Sequence, residues 1–222
     1  MLSVLLIWMY MIFTCYIVGF SLIRMISGGK IPSCMKEIDC LWAGLGFATV
    51  YAQFFSIFGK VGLWANALLL LLCLLGILRF GREMAGNLHT FRLTVTPWRA
   101  AGILALLALF AYGSAGGLIH YDTGLYHAQS IRWIEEFGVV PGLGNLHSRL
   151  AYNSAAFALT ALYGMAFLGG QSYHVCAGFL CFLLALVCGE AVSRARVRRP
   201  LLSDFARIMG IYYLLNIFDE MV

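Results

Sequence analysis

One stretch of the chain gathers most of the side chains that can do chemistry. Of five histidines and ten acids in 222 residues, three of each fall between His120 and Tyr152: His120, His127 and His147, with Asp122, Glu135 and Glu136. The stretch opens His120-Tyr121-Asp122-Thr123-Gly124-Leu125-Tyr126-His127 and closes on His147-Ser148-Arg149. A carboxylate such as Asp122 can act as general base on an acceptor hydroxyl. A guanidinium such as Arg149 can hold the phosphate of a lipid-linked donor. Tyr126, His127, Asn145 and His147 lie in the same stretch and, with Arg149, make up the candidate substrate-binding set.

Each of these residues also has a plainer reading. Asp122 can cap the helix that follows it by accepting backbone N–H bonds. His120, Asp122 and His127 can be read as a divalent-metal site, although a fourth ligand is missing. Glu135 and Glu136 read as solvated residues on a helix face. Arg149 can anchor at lipid headgroups, and Gly144-Asn145 is a turn signal.

The elements that must position these residues are apolar. Runs without Lys, Arg, Asp or Glu cover Leu2–Ile23, Leu41–Phe58, Val61–Leu78, Ala100–Ile119, Asn153–Gly169 and Tyr173–Gly189. Each has about the length that a bilayer core demands of a helix. A seventh run, Phe205–Phe218, follows a mixed start. In lipid such segments must be helical, because unpaired backbone groups have no water to bond. The expected fold is therefore all-α: a multi-pass bundle of about six or seven membrane helices. An interfacial amphipathic helix is expected within loop 120–152, with Tyr126, Trp133, Ile134 and Phe137 on one side and Gln129, Arg132 and Glu136 on the other. Gly138 to Asn145, with Pro141 among them, ends it.

Composition agrees. The chain is 62% hydrophobic with a mean hydropathy of +0.86, and only 11% of its residues are charged, against about 25% in soluble domains. The net charge of +5 does not point to nucleic acid, because the basic residues sit between the apolar runs. Five of the seven cysteines lie inside those runs, where cysteine is a small hydrophobe; Cys34 and Cys40 share a loop without companion zinc ligands. The first run lacks a basic leader and is expected to stay as a helix.

Basic residues concentrate in short inside loops. Arg24, Lys30 and Lys36 follow the first run, and Arg79, Arg82, Arg92 and Arg99 follow the third. This places the N-terminus and loop 120–152 outside. The same count, carried through two further crossings, puts Arg194, Arg196, Arg198 and Arg199 outside as well, against the rule. Either 153–189 does not cross twice, or the preceding helices override the local charge. Glycines 44, 46, 113, 116 and 117 support close helix packing.

An uncharged helix at Ala100–Ile119, an outside loop with Asp122 near its start, an interfacial helix and a further apolar helix together resemble the first module of the GT-C glycosyltransferases. These membrane enzymes use polyprenyl-phosphate sugars. The strings Tyr-Asp-Thr-Gly-Leu-Tyr-His and Gly-Val-Val-Pro-Gly-Leu-Gly-Asn-Leu-His, within 98–222, resemble more narrowly a group of uncharacterised bacterial multi-pass membrane proteins. The GT-C resemblance implies that Asp122 is the first-loop catalytic acid, with Thr123 where an adjacent acid often stands. It implies a second acid in a later outside loop, for which Asp219, next to Glu220, is the candidate. It implies a polyprenyl-phosphate-sugar donor, a surface-glycan acceptor and a site in the bacterial inner (cytoplasmic) membrane.

The resulting organisation is a three-helix membrane region at 1–98, a GT-C-like module at 99–192, and a basic connection with a last helix at 193–222. Since GT-C proteins are much longer, an N-terminal portion of such an enzyme is expected. Alternative readings are a polysaccharide polymerase or flippase-like component, and a non-catalytic membrane scaffold. A transporter is disfavoured, because the first six apolar runs carry no charge.

Overall fold

The computed structural model describes residues 1–28, 35–116, 121–151, 154–170, 174–197 and 199–221. Lys30, Cys34, Gly117, His120 and Arg198 lie outside the described residues, as do the side chains of Arg196, Asp219 and Glu220. Among the described residues all regular secondary structure is helical, with no strand. In chain order the α-helices are α1 (Leu2–Ile26), α2 (Glu37–Phe58), α3 (Leu63–Thr94), α4 (Pro97–Ala115), α5 (Ala128–Glu136), α6 (Leu143–Leu146), α7 (Ala155–Tyr163), α8 (Val175–Val197) and α9 (Leu202–Met221).

Five of these, α1 to α4 and α8, are long and apolar enough to cross a membrane. Their ends follow local rules. Asp39 accepts from the Lys36 backbone N–H at the start of α2. At α4, Thr96 accepts from the Arg99 N–H, and Pro97 supplies the pre-set first turn. The third apolar run does not stop at Leu78. α3 continues through Arg79, Arg82 and Glu83 to Thr94, and its 32 residues span about 48 Å, well beyond a hydrocarbon core of about 30 Å.

The fifth apolar run differs from its expectation. In place of one helix over Asn153–Gly169, the chain forms the nine-residue α7 and then breaks. Met165 takes a left-handed φ of +54°, the 3₁₀ turn Ala166–Leu168 follows, and Gly169 is left-handed again at +81°. Nine residues reach only about 14 Å, less than half a hydrocarbon core.

A helix that ends inside an apolar bundle leaves carbonyls without partners. Asn66 of α3 meets this need, donating from Nδ2 to the Leu162 carbonyl at 3.0 Å. The Tyr10 hydroxyl donates to Asn66 Oδ1 at 2.9 Å, and the Tyr163 hydroxyl lies 2.9 Å from Thr14 Oγ1. The buried end of α7 is thus held by α1 and α3 through polar pairs.

α1 is the axis of the molecule, in contact with α2, α3, α4 and α8. It meets α2 backbone to backbone: a Cβ on Gly19 would sit 1.9 Å from the Cys40 carbonyl oxygen, and one on Gly44 would sit 1.8 Å from that of Cys15. Of the glycines expected to pack, Gly44 therefore does so, while Gly46 has nothing within 4 Å of such a Cβ. At the other end of α1 the buried Trp8 donates to the Val175 carbonyl and stacks with Phe182.

Ion pairs tie one end of the bundle together. Arg24 at the end of α1 pairs with Glu83 of α3, and Lys36 before α2 pairs with Glu190 late in α8. The opposite end carries the start of α1, the α2–α3 turn, α5, α6 and the start of α8. α9 runs antiparallel to α8: the Cys188 thiol donates to the Arg207 carbonyl, and Gly210 faces Leu184 and Cys188. Its last turn, with Asp219, therefore heads toward the end that holds α5.

Candidate functional site

The stretch after α4 begins with a helical turn at Tyr121 and Asp122, then widens into a π-helical turn over Thr123–His127 before α5. Such π turns re-aim side chains and recur at functional sites. Thr123 is buried beneath the turn. The expected cap at Asp122 is not made: its backbone is helical, with φ −71° and ψ −20°, and its side chain makes no cap hydrogen bond. Its carboxylate instead takes Arg149.

Arg149 comes from the far side of the loop. α6 and the 3₁₀ turn Ser148–Ala151 fold against each other, so closely that a Cβ on Gly144 would lie 2.9 Å from that of Ala151. This returns Arg149 to within 2.9 Å of Asp122, Nη1 to Oδ1, across 27 residues of sequence. The guanidinium also lies over the Tyr126 ring, 5.4 Å from its centroid. His147 supports the turn, its Nδ1 accepting from the Arg149 backbone N–H at 3.3 Å.

Asp122, Tyr126, Ser148, Arg149 and Ala151 line a cavity of about 550 Å³. Asp122 and Arg149 are half-exposed there, at 31% and 47% of their side-chain surface. Ala151 also lines a second cavity of about 570 Å³, walled by Val50, Phe54 and Ile57 of α2, Trp133 of α5, Leu143 and Phe157. The first is an open depression of mixed polarity that holds the charged pair. The second is mostly apolar, and the two share Ala151 as a lining residue.

Of the expected site residues, the fold brings Asp122, Tyr126 and Arg149 onto one cavity and places His147 behind it. His127 meets Tyr126 edge-on and Phe157 at a tilt, and does not line it. Asn145 is exposed, its N–H bonded to the Gly142 carbonyl in a turn. For Asp219 only the backbone in α9 is described. Among the described residues no three His, Cys, Asp or Glu side chains group as metal ligands, and His120 of the candidate set lies outside them. The apolar cavity was not anticipated: Val50, Phe54 and Ile57 read as ordinary residues of a span, and only Trp133 carried a signal.

α5 is docked rather than floating. The Val61 N–H donates to the Ile134 carbonyl and the Val139 N–H to the Ser56 carbonyl, so the end of α5 is bonded to the α2–α3 turn. Gly138, at φ +81°, fits only without a side chain: a Cβ would lie 2.6 Å from the carbonyl oxygens of Ser56 and Gly59. This changes the reading of the two glutamates. Glu136 stays at the surface, 2.6 Å from Arg132, but the Glu135 side chain is only 6% exposed. It lies against Gly164, at the break after α7.

Burial pushes the Glu135 carboxyl up from 4.5 to about 7, with Glu136 adding to the rise and Arg132 opposing it. Between those values the folded protein keeps a proton that the unfolded chain releases. Stability is therefore highest on the acid side and is lost as pH rises toward about 7. The melting temperature of the purified protein in detergent is expected to fall across that window. Glu135→Gln, neutral at every pH, should flatten the curve and melt higher than the parent at pH about 8. Parallel curves for parent and variant would remove Glu135 as the cause.

Among its described residues the molecule is thus all-helical, with five helices long and apolar enough to span a membrane and an acid–guanidinium pair at one end. It belongs to the family described as Domain of unknown function (DUF8201), which matches residues 1–222. No curated protein and no solved structure matches it.

Proposed function

We propose that the chain is a GT-C-like membrane glycosyltransferase, or the front portion of one, which moves a sugar from a lipid-phosphate donor to a surface-glycan acceptor. The observation that carries this reading is the Asp122–Arg149 pair in an open depression that shares Ala151 with a mostly apolar cavity. A polyprenyl phosphate needs both chemistries side by side: a cation for the phosphate, and apolar walls for the chain. In this reading Asp122 takes the proton of an acceptor hydroxyl. Asp219 remains the candidate second acid, on a helix directed toward the same end.

Sidedness supports the reading. With α7 entering the bundle and not crossing, α8 runs from outside to inside. Arg24, Lys36, Arg79, Arg82, Arg92, Arg99 and Arg194 then share the inner side, and the charge conflict disappears. The Lys36–Glu190 and Arg24–Glu83 pairs agree with this arrangement. Asp122 and Arg149 then face outward from a bacterial inner membrane. Single cysteines at 149 and 199 should react with an impermeant thiol reagent only from opposite sides; reaction from one side would refute this topology.

A polyprenyl phosphate bearing a photoreactive group on its chain tests the function. Crosslinks are expected in peptides that carry Val50–Ile57 of α2 and Trp133 of α5, and unlabelled polyprenyl phosphate should suppress them. Crosslinks spread evenly over the lipid-facing sides of α3 and α4 would sink the donor site.

A further inference from the structure

We infer that Asp122 and the donor phosphate compete for the same edge of Arg149, so that donor binding is what releases Asp122 to act as base. This rests on the reading of Arg149 as the phosphate ligand and adds an order of events to it. A guanidinium offers its donors in one plane, and its best anion contact is edge-on and bidentate. Arg149 Cζ lies over the Tyr126 ring, 5.4 Å from its centroid, and its backbone sits in the 3₁₀ turn Ser148–Ala151; both limit how far the guanidinium can move. Its Nη1 edge is held by Asp122 Oδ1 at 2.9 Å. Arg149 and Asp122 both line the first cavity, so a phosphate that enters it meets the pair.

Two consequences follow from charge. While the pair is closed, Arg149 occupies the Asp122 carboxylate oxygen at 2.9 Å, so an acceptor hydroxyl arriving first finds that oxygen already engaged. When a lipid phosphodiester takes the Arg149 edge, one anion replaces another on the guanidinium, and Asp122 turns to the hydroxyl. In the transfer step the bond from the sugar anomeric carbon to the phosphate oxygen breaks, and a bond to the acceptor oxygen forms. The hydroxyl proton goes to Asp122, and the lipid monophosphate stays on Arg149. Neutral Asp122 cannot reclaim Arg149 until it passes its proton to water. The carboxylate that re-forms then displaces the spent lipid phosphate. The ion pair thus favours donor-first binding and helps clear the product.

Binding of farnesyl phosphate to the full chain in lipid nanodiscs tests this without needing turnover. Both side chains are half-exposed, so Asn at 122 and Ala at 149 leave the packed core untouched. Asp122→Asn removes the competing anion and is expected to tighten binding roughly 2- to 5-fold, the range set by an exposed ion pair. Arg149→Ala is expected to weaken binding, and adding Asp122→Asn to it should then change nothing. If Asp122→Asn leaves binding unchanged or weaker while Arg149→Ala still weakens it, the phosphate site stands and the competition is wrong. If Asp122→Asn tightens binding even without Arg149, general repulsion is at work, and the competition is again wrong. If neither substitution matters, Arg149 is not the phosphate ligand, and both readings fall together.

Discussion

Replacing Asp122 by Asn is expected to lower sugar transfer about 10²- to 10⁴-fold, the usual contribution of a positioned general base. The substitution keeps shape and removes only the ability to take a proton. Asp122 is reachable, 31% exposed on its cavity, and is not committed to capping a helix. The fall should appear in kcat, with KM for the donor unchanged or lower, because the carboxylate also holds the phosphate edge of Arg149. Arg149→Ala should show the opposite split, raising KM for the donor. Radiolabelled donor and isolated membranes suffice for the comparison. Transfer that survives Asp122→Asn at the parent rate would show that the base lies elsewhere, and Asp219 would be tested next.

The second large effect concerns the frame that holds the site. Gly44→Ala is expected to destabilise the protein by about 3 kcal/mol or more, the upper part of the range for overpacking. The new methyl would stand 1.8 Å from a backbone oxygen of α1, and no side-chain rotation relieves a clash with backbone. α1 and α2 would have to separate. α2 supplies the wall of the apolar cavity and the turn that anchors α5, so the disturbance reaches the site. Gly46→Ala, two residues on and facing open space, is the control: it should be neutral, or stabilising by up to about 1 kcal/mol through helix propensity. Melting of the two variants in the same detergent checks the contrast. Equal tolerance of both would mean that the helices do not approach as described.

Much of this was legible in the residues because it depends on local physics. Uninterrupted apolar runs of bilayer length specify helices whatever surrounds them, and α1, α2, α4 and α8 lie close to where the runs place them. The clustering of Asp122, Tyr126, His147 and Arg149 in one polar stretch likewise marked it for chemistry. What local physics cannot supply is distance across the chain. Asp122 and Arg149 meet only because a π turn and a 3₁₀ turn re-aim them from either end of a 27-residue separation.

The fifth apolar run shows the limit from the other side. Its hydropathy reads like that of a membrane span, but a left-handed residue at Met165 breaks it, and Asn66, almost a hundred residues away, satisfies a carbonyl that the break exposes. Hydropathy counts transfer energies one residue at a time and has no term for a partner on another helix. Glu135 follows the same logic: Glu136 beside it is solvated, while the packing of α5 onto α7 buries Glu135. The sequence alone determined a membrane-type helical chain with one polar loop that gathers acids and histidines. Tertiary packing decided which helices can cross, which glutamate is buried and which acid faces which base, because each of these depends on contacts between residues far apart in the chain.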